Sequence, residues 1–141
     1  MSAYLMPTQD AGAALARRGI AGPVVMLNLL RLRKVADYSL APDLAPSSPI
    51  SGRAAFDLYI AHTLPLLRES GGDLLFLGDG GAFLIGPPGD RWDLAMLVRQ
   101  QSVERFFAFA RDEAMMAGIG HRTAAIEDAR LLPLVEQALP G

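Results

Sequence analysis

The sequence predicts an α+β domain: an antiparallel sheet of four or five strands with its central helices on one face. Three observations predict it. Apolar runs of strand length alternate with stretches whose apolar residues recur every three or four positions. Turn residues separate the two kinds of segment. The strands are apolar on both faces, which helices on one side cannot cover alone. The 141 residues fit one domain, expected over 1–141 with a helical extension at 1–22 and a long Pro/Ser-rich loop at 33–52.

Taken in order, Thr8 caps a short amphipathic helix that runs to Arg18 and stops at Gly19. Pro23 precedes VVMLNLLRL, a strand from Val24 to about Leu32. Residues 33–52 carry Pro42, Pro46 and Pro49 among four serines and show no period; such a loop is either a partner-packed excursion or a flap over a pocket. From Arg53 to Ser70, Phe56, Tyr59, Ile60, Thr63 and Leu67 make one helical face, with Pro65 expected to kink it. Leu74–Gly78, Asp79-Gly80-Gly81 and Ala82–Gly86 read as a hairpin, closed by Pro87-Pro88-Gly89-Asp90. Trp92–Arg99 is a further strand or the continuation of that arm. Ser102 caps a Phe-rich helix to about Arg111, and His121–Leu132 reads as the last strand. Without the first helix the order is β-α-β-β-α-β, the ferredoxin-like split unit.

Strand parity then makes a prediction about assembly. Val24, Met26, Leu30 and Leu32 share one face with Asn28, while Val25, Leu27, Leu29 and Arg31 form the other. Covering about 600 Å² of such a second face is worth roughly 15 kcal/mol gross at about 25 cal/mol per Å². A homodimer joined sheet to sheet is the simplest cover; the N-terminal helix with the Pro-rich loop is the competing one.

Composition removes several classes of function. Cysteine is absent, so disulfides, thiolate metal sites and cysteine nucleophiles are excluded. Thirteen Lys+Arg against fifteen Asp+Glu give a net charge of -2, and the arginines are too scattered for a nucleic-acid face. The N-terminal stretch has no basic n-region, and the longest apolar run, Val24–Leu30, is far below the roughly 20 residues of a membrane span. A cytoplasmic protein without membrane or nucleic-acid partners is the expectation. Two histidines in no HxxxH or HxH pattern predict no metal site, and no cofactor is expected. The Gly78-Asp79-Gly80-Gly81 run is followed by a strand, unlike a phosphate loop, which opens a helix.

The segments FDLYIAHTLPLLRESGGDLLFLG, WDLAMLVRQQSVERFFAF and HRTAAIEDARLL resemble domain-of-unknown-function family 1330 over about Val24 to Leu132. The resemblance implies the dimeric α/β-barrel superfamily, which includes cofactor-free monooxygenases, isomerases, dehydratases and dye-decolourising haem enzymes. It supplies no established activity. The loop at 33–52 and the N-terminal helix depart from the compact members of that family.

The candidate site residues follow from residue chemistry. His121-Arg122 joins a group that titrates near neutrality to a fixed cation, suited to moving a proton and holding an anion. The alternative is a junction in which Arg122 pairs with Glu127 or Asp128. His62, three residues after Tyr59, either lines a pocket with it or makes a satisfied, half-buried pair. Asn28, Arg31 and Arg99 are polar positions on apolar strands and either pair within the protein or face a solvated cavity. Trp92, with Tyr38 and Phe83, either walls that cavity or belongs to the core. Two functions stand: a small-molecule enzyme of the cofactor-free oxygenase, isomerase or lyase kind, acting on an aromatic, carboxylate or lactone compound, and a non-catalytic ligand-binding or stress-associated dimer. In the first, His121 or His62 moves the proton, Arg31, Arg99 or Arg122 holds the carboxylate or enolate, and Asn28, Tyr59 and Trp92 complete the lining.

Overall fold

A computed structural model describes residues 3–141. Its elements are α1 (Gln9–Arg17), β1 (Val24–Leu32), a 3₁₀ turn (Pro42–Leu44), α2 (Gly52–Glu69), β2 (Asp73–Ala82), β3 (Arg91–Gln100), α3 (Val103–Ala110), α4 (Glu113–Met116), α5 (Ile119–Ala125) and β4 (Ile126–Leu134). The strands form one antiparallel sheet in the order β2-β3-β1-β4. This is the predicted α+β, ferredoxin-like architecture.

Burial confirms the parity of β1. Val24, Met26 and Leu30 are buried against the helices. With Leu94 and Met96 of β3, Phe56 of α2 and Ile126 of β4 they supply the large side chains of the core. The helix α1 docks on this same side, Leu15 packing with Val24, Met26 and Val103. Thr8 caps α1, Ser51 caps α2 and Ser102 caps α3, each side chain accepting an amide of the first turn. The opposite face is left to Leu27, flanked by Leu97 and Leu132, and to Leu29, flanked by Ala95 and Arg130. Phe76 stands beside Leu97 there, and Phe76 and Leu132 are more than half exposed. Neither α1 nor the long loop covers this face, contrary to the competing expectation.

Two elements differ from expectation. The strand β2 runs straight through Asp79-Gly80-Gly81, and the turn lies further on, at 83–90. The glycine at 80 is needed for close approach, since a Cβ there would stand 2.4 Å from the carbonyl oxygen of Trp92. The reversal is made by Pro87-Pro88-Gly89-Asp90, with Gly89 at φ 81°. The presumed second arm therefore becomes an exposed tip, Phe83-Leu84-Ile85. The last strand starts at Ile126, and His121 and Arg122 belong to α5. Two alanines, the best helix formers, favour a helical turn over an extended chain there. The helix α2 continues through Pro65 as one element.

The loop after β1 is tied down. Amides of Arg33, Ala36 and Asp37 donate to carbonyls of Ala125, Ile50 and Ala124. It thereby lies against α5, on the helical side of the sheet.

Candidate functional site

A cavity of about 190 Å³ lies between the helix-facing side of the sheet and helices α2 to α5. Its walls are mostly apolar, with Met26, Met96 and Val98 on the sheet and Phe106, Phe109 and Met115 on the helices. The polar groups in the lining are Asn28, Tyr59, Thr63, Gln100 and Arg122. Apolar walls with a few convergent polar groups are the ordinary make-up of a small-molecule site.

Arg122 is set by the helical start that sequence reading assigned to a strand. On α5, Ile119 and Arg122 lie one turn apart and both line the cavity. One guanidinium nitrogen, Nη1, donates to the carbonyl of Leu5 at 2.8 Å and lies 3.8 Å from Met6 Sδ. Among the described residues it makes no ion pair, with Glu127, Asp128 or any other carboxylate. Burial lowers its pKa, a sign of a charge held out of water, and the adjacent Tyr59 opposes that. Burial raises the Tyr59 phenol, against the pull of Arg122 and Thr63, so the phenol keeps its proton. Asn28 turns its amide nitrogen back to the carbonyl of Met26 at 3.2 Å.

The candidate residues thus divide into three groups. Asn28, Tyr59 and Arg122 share the cavity. His62, on α2, and His121, on α5, are absent from the cavity lining. His62 Nε2 donates to the carbonyl of Ala114 at 2.7 Å, and Tyr38 Oη and His121 Nδ1 share a hydrogen bond of 2.7 Å. Burial lowers the pKa of His121, with help from the charge of His62. Gly118 lies against the His62 ring, which leaves no room for a Cβ there. Arg31 and Trp92 form the third group, at the far end of β1. The Arg31 guanidinium stands 4.5 Å over the Trp92 ring, and that of Arg130 stands 5.0 Å from it. Arg31 donates to the carbonyl of Arg91 and pairs with Asp90 and Asp128. Arg99 is exposed on the open face, opposite Val25 and Asp73.

Two lining residues escaped sequence reading as polar contributors, Thr63 and Gln100. Parity could have found Gln100, which continues the buried series Leu94, Met96, Val98 and ends it in an amide. Thr63 was placed on the correct face of α2 but counted among its apolar members.

Among the described residues there is no group of three or more metal-ligating side chains, and no helix long and apolar enough to cross a membrane.

The whole chain is similar to solved proteins of this architecture. It is 33% identical to the methylated RPA0582 protein, covering 100% of this chain and 99% of that one, with a TM-score of 0.84. It is 30% identical to RPA0582 described as a protein of unknown function from Rhodopseudomonas palustris, covering 98% and 100%, with a TM-score of 0.83. The chain belongs to the family of RPA0582. A dimeric protein of unknown function and ferredoxin-like fold from Bacteroides fragilis shares the fold at 13% identity, 79% and 94% coverage and a TM-score of 0.50. No protein-family profile, family 1330 included, and no curated protein matches the chain.

Proposed function

We propose that this protein binds a small, largely apolar carboxylate in the cavity, with Arg122 on the carboxylate, and that it does so as a homodimer closed through the open face of the sheet. The observation that carries the binding reading is the half-buried Arg122 guanidinium in the cavity wall, with one backbone carbonyl as its oxygen partner and no carboxylate. Burying a charge without an opposite charge is costly, and an anionic ligand that accepts its remaining N–H groups offsets that cost. The fork of Arg matches a carboxylate in two-point geometry.

Calorimetry with cinnamate and its methyl ester tests this. The acid is expected to bind at least tenfold tighter than the ester, and Arg122→Met is expected to weaken the acid by that same factor, leaving acid and ester alike. Equal affinities of acid and ester for the natural chain would overturn the reading. The dimer is tested by native mass measurement at micromolar concentration. A pair that Leu27→Arg separates into monomers is expected, because that change sets two cations into the centre of the proposed contact; a monomeric natural chain refutes it.

A catalytic reading, of the cofactor-free oxygenase, isomerase or lyase kind, is favoured by Tyr59. A protonated phenol beside a guanidinium can donate to a carbonyl whose oxygen gains negative charge, the arginine sharing that charge. In this reading Tyr59 faces the ligand, and His121 and His62 would act from their separate cluster. Consumption of a bound acid, lost in Tyr59→Phe while binding persists, distinguishes it from simple binding. Membership of family 1330 belongs to the same proposal.

A further inference from the structure

The cavity has a second polar end of different character. Gln100 is 2% exposed, lines the cavity, and its Oε1 accepts no hydrogen bond. Thr63, 7% exposed and also in the lining, leaves its Oγ1 without a bond of full geometry although it leans toward the Tyr59 phenol. Unmet buried acceptors are uncommon in folded proteins and call for a partner.

The two ends are far apart along the same walls. Tyr59, Thr63 and Leu67 form a stripe on α2 at four-residue spacing, and all three line the cavity. Tyr59 stands with Arg122 at one end. Leu67 stands with Gln100 at the other, since a Cβ on Gly72 would meet Leu67 Cδ1 at 2.6 Å and Gln100 Oε1 at 3.2 Å. Eight residues of helix cover about 12 Å. On the facing strand, Met96 to Gln100 covers about 13 Å. Between the ends the walls are Met, Val and Phe side chains.

We infer that the ligand is two-headed: a carboxylate at Arg122, an apolar or aromatic middle, and a hydroxyl that donates to Gln100 Oε1. This rests on the carboxylate reading above and adds the class of substrate, a hydroxyaryl or long-chain hydroxy acid. Thr63, midway along the stripe, would meet a further polar group or water on the same ligand.

Calorimetry on the full chain with two matched pairs tests the inference: 4-hydroxycinnamate against cinnamate, and 8-hydroxyoctanoate against octanoate. In at least one pair the hydroxylated acid is expected to bind about tenfold tighter, the worth of one hydrogen bond to a buried acceptor. In Gln100→Leu that ratio is expected to fall to about one. Where Gln100→Leu does not fold, Gln100→Asn withdraws the amide by one methylene and is expected to lower the ratio likewise. If the plain acids bind and the hydroxyl confers no advantage, or the advantage survives in the variant, this inference is overturned and the carboxylate reading stands. If none of the four acids binds, both fall together.

Discussion

Arg31 and Arg122 are arginines that the fold draws out of bulk water, and they end in opposite circumstances. Arg31 is enclosed by partners: a carbonyl, two carboxylates and the face of Trp92. Asp128, at the centre of that enclosure, also accepts from the amides of Tyr4 and Ala129 and from Arg130. Burial alone would raise its pKa, yet these donors hold it below the ordinary value. Arg122 has a carbonyl and a thioether, and beyond them the cavity. The two regions teach how to separate an arginine that holds the fold from one held ready for something else. Neither residue type nor burial makes the distinction; the census of partners does.

The largest effect that should follow falls on the satisfied cluster. Asp128→Ala leaves the Tyr4 amide without its acceptor and takes one acceptor each from Ala129, Arg31 and Arg130, and a buried donor left unmet costs about 1–3 kcal/mol. Arg122→Met in the unliganded protein is expected to change stability by at most about 1 kcal/mol, because a lost bond to Leu5 is set against relief of a poorly compensated charge. Urea unfolding of both variants checks the pair of values. If Arg122→Met proves as damaging as Asp128→Ala, the contrast collapses and Arg122 becomes a structural residue.

Much of this arrangement was legible in the sequence, and the misreadings share a cause. Local signals were reliable at Thr8 and Ser102, which each start a helix, and the parity of Val24, Met26 and Leu30 gave the buried face directly. The fold class followed from the split β-α-β-β-α-β pattern. Asp79-Gly80-Gly81 misled because the same residues that suit a turn also permit close contact between strands, and only the partner backbone at Trp92 decides between them. His121-Arg122 misled because a helix of seven residues is too short to show a period. The site was half legible. Asn28, Tyr59 and Arg122 were named, but which arginine lacked a carboxylate depended on contacts across the chain: Asp128 reaches Arg31, some hundred residues away in sequence, and leaves Arg122 alone.

That histidine cluster gives the smallest effect and the last contrast, a titrating region apart from the cavity. The pKa of His121 is lowered in the fold by burial and by the charge of His62. The groups facing it are Tyr38 from the loop, whose phenol burial pushes up and which stays protonated, and His62 from α2. A base whose folded pKa lies below its unfolded value binds fewer protons when folded, so its contribution to stability is complete above the unfolded value of 6.5 and is lost as pH falls from there toward the folded value. Asp128, Asp37 and Asp73 have the opposite origin and a separate window, their contributions fading only as pH falls below the ordinary carboxylate value of 3.8. The interval from pH 7 to pH 5 therefore isolates the histidine contribution from these aspartates. Melting temperature is expected to decline gently across it in the natural chain and to flatten in His121→Gln, whose amide does not titrate. Melts that decline equally in both would assign the slope to other groups and remove His121 from the pH response of the loop and α5.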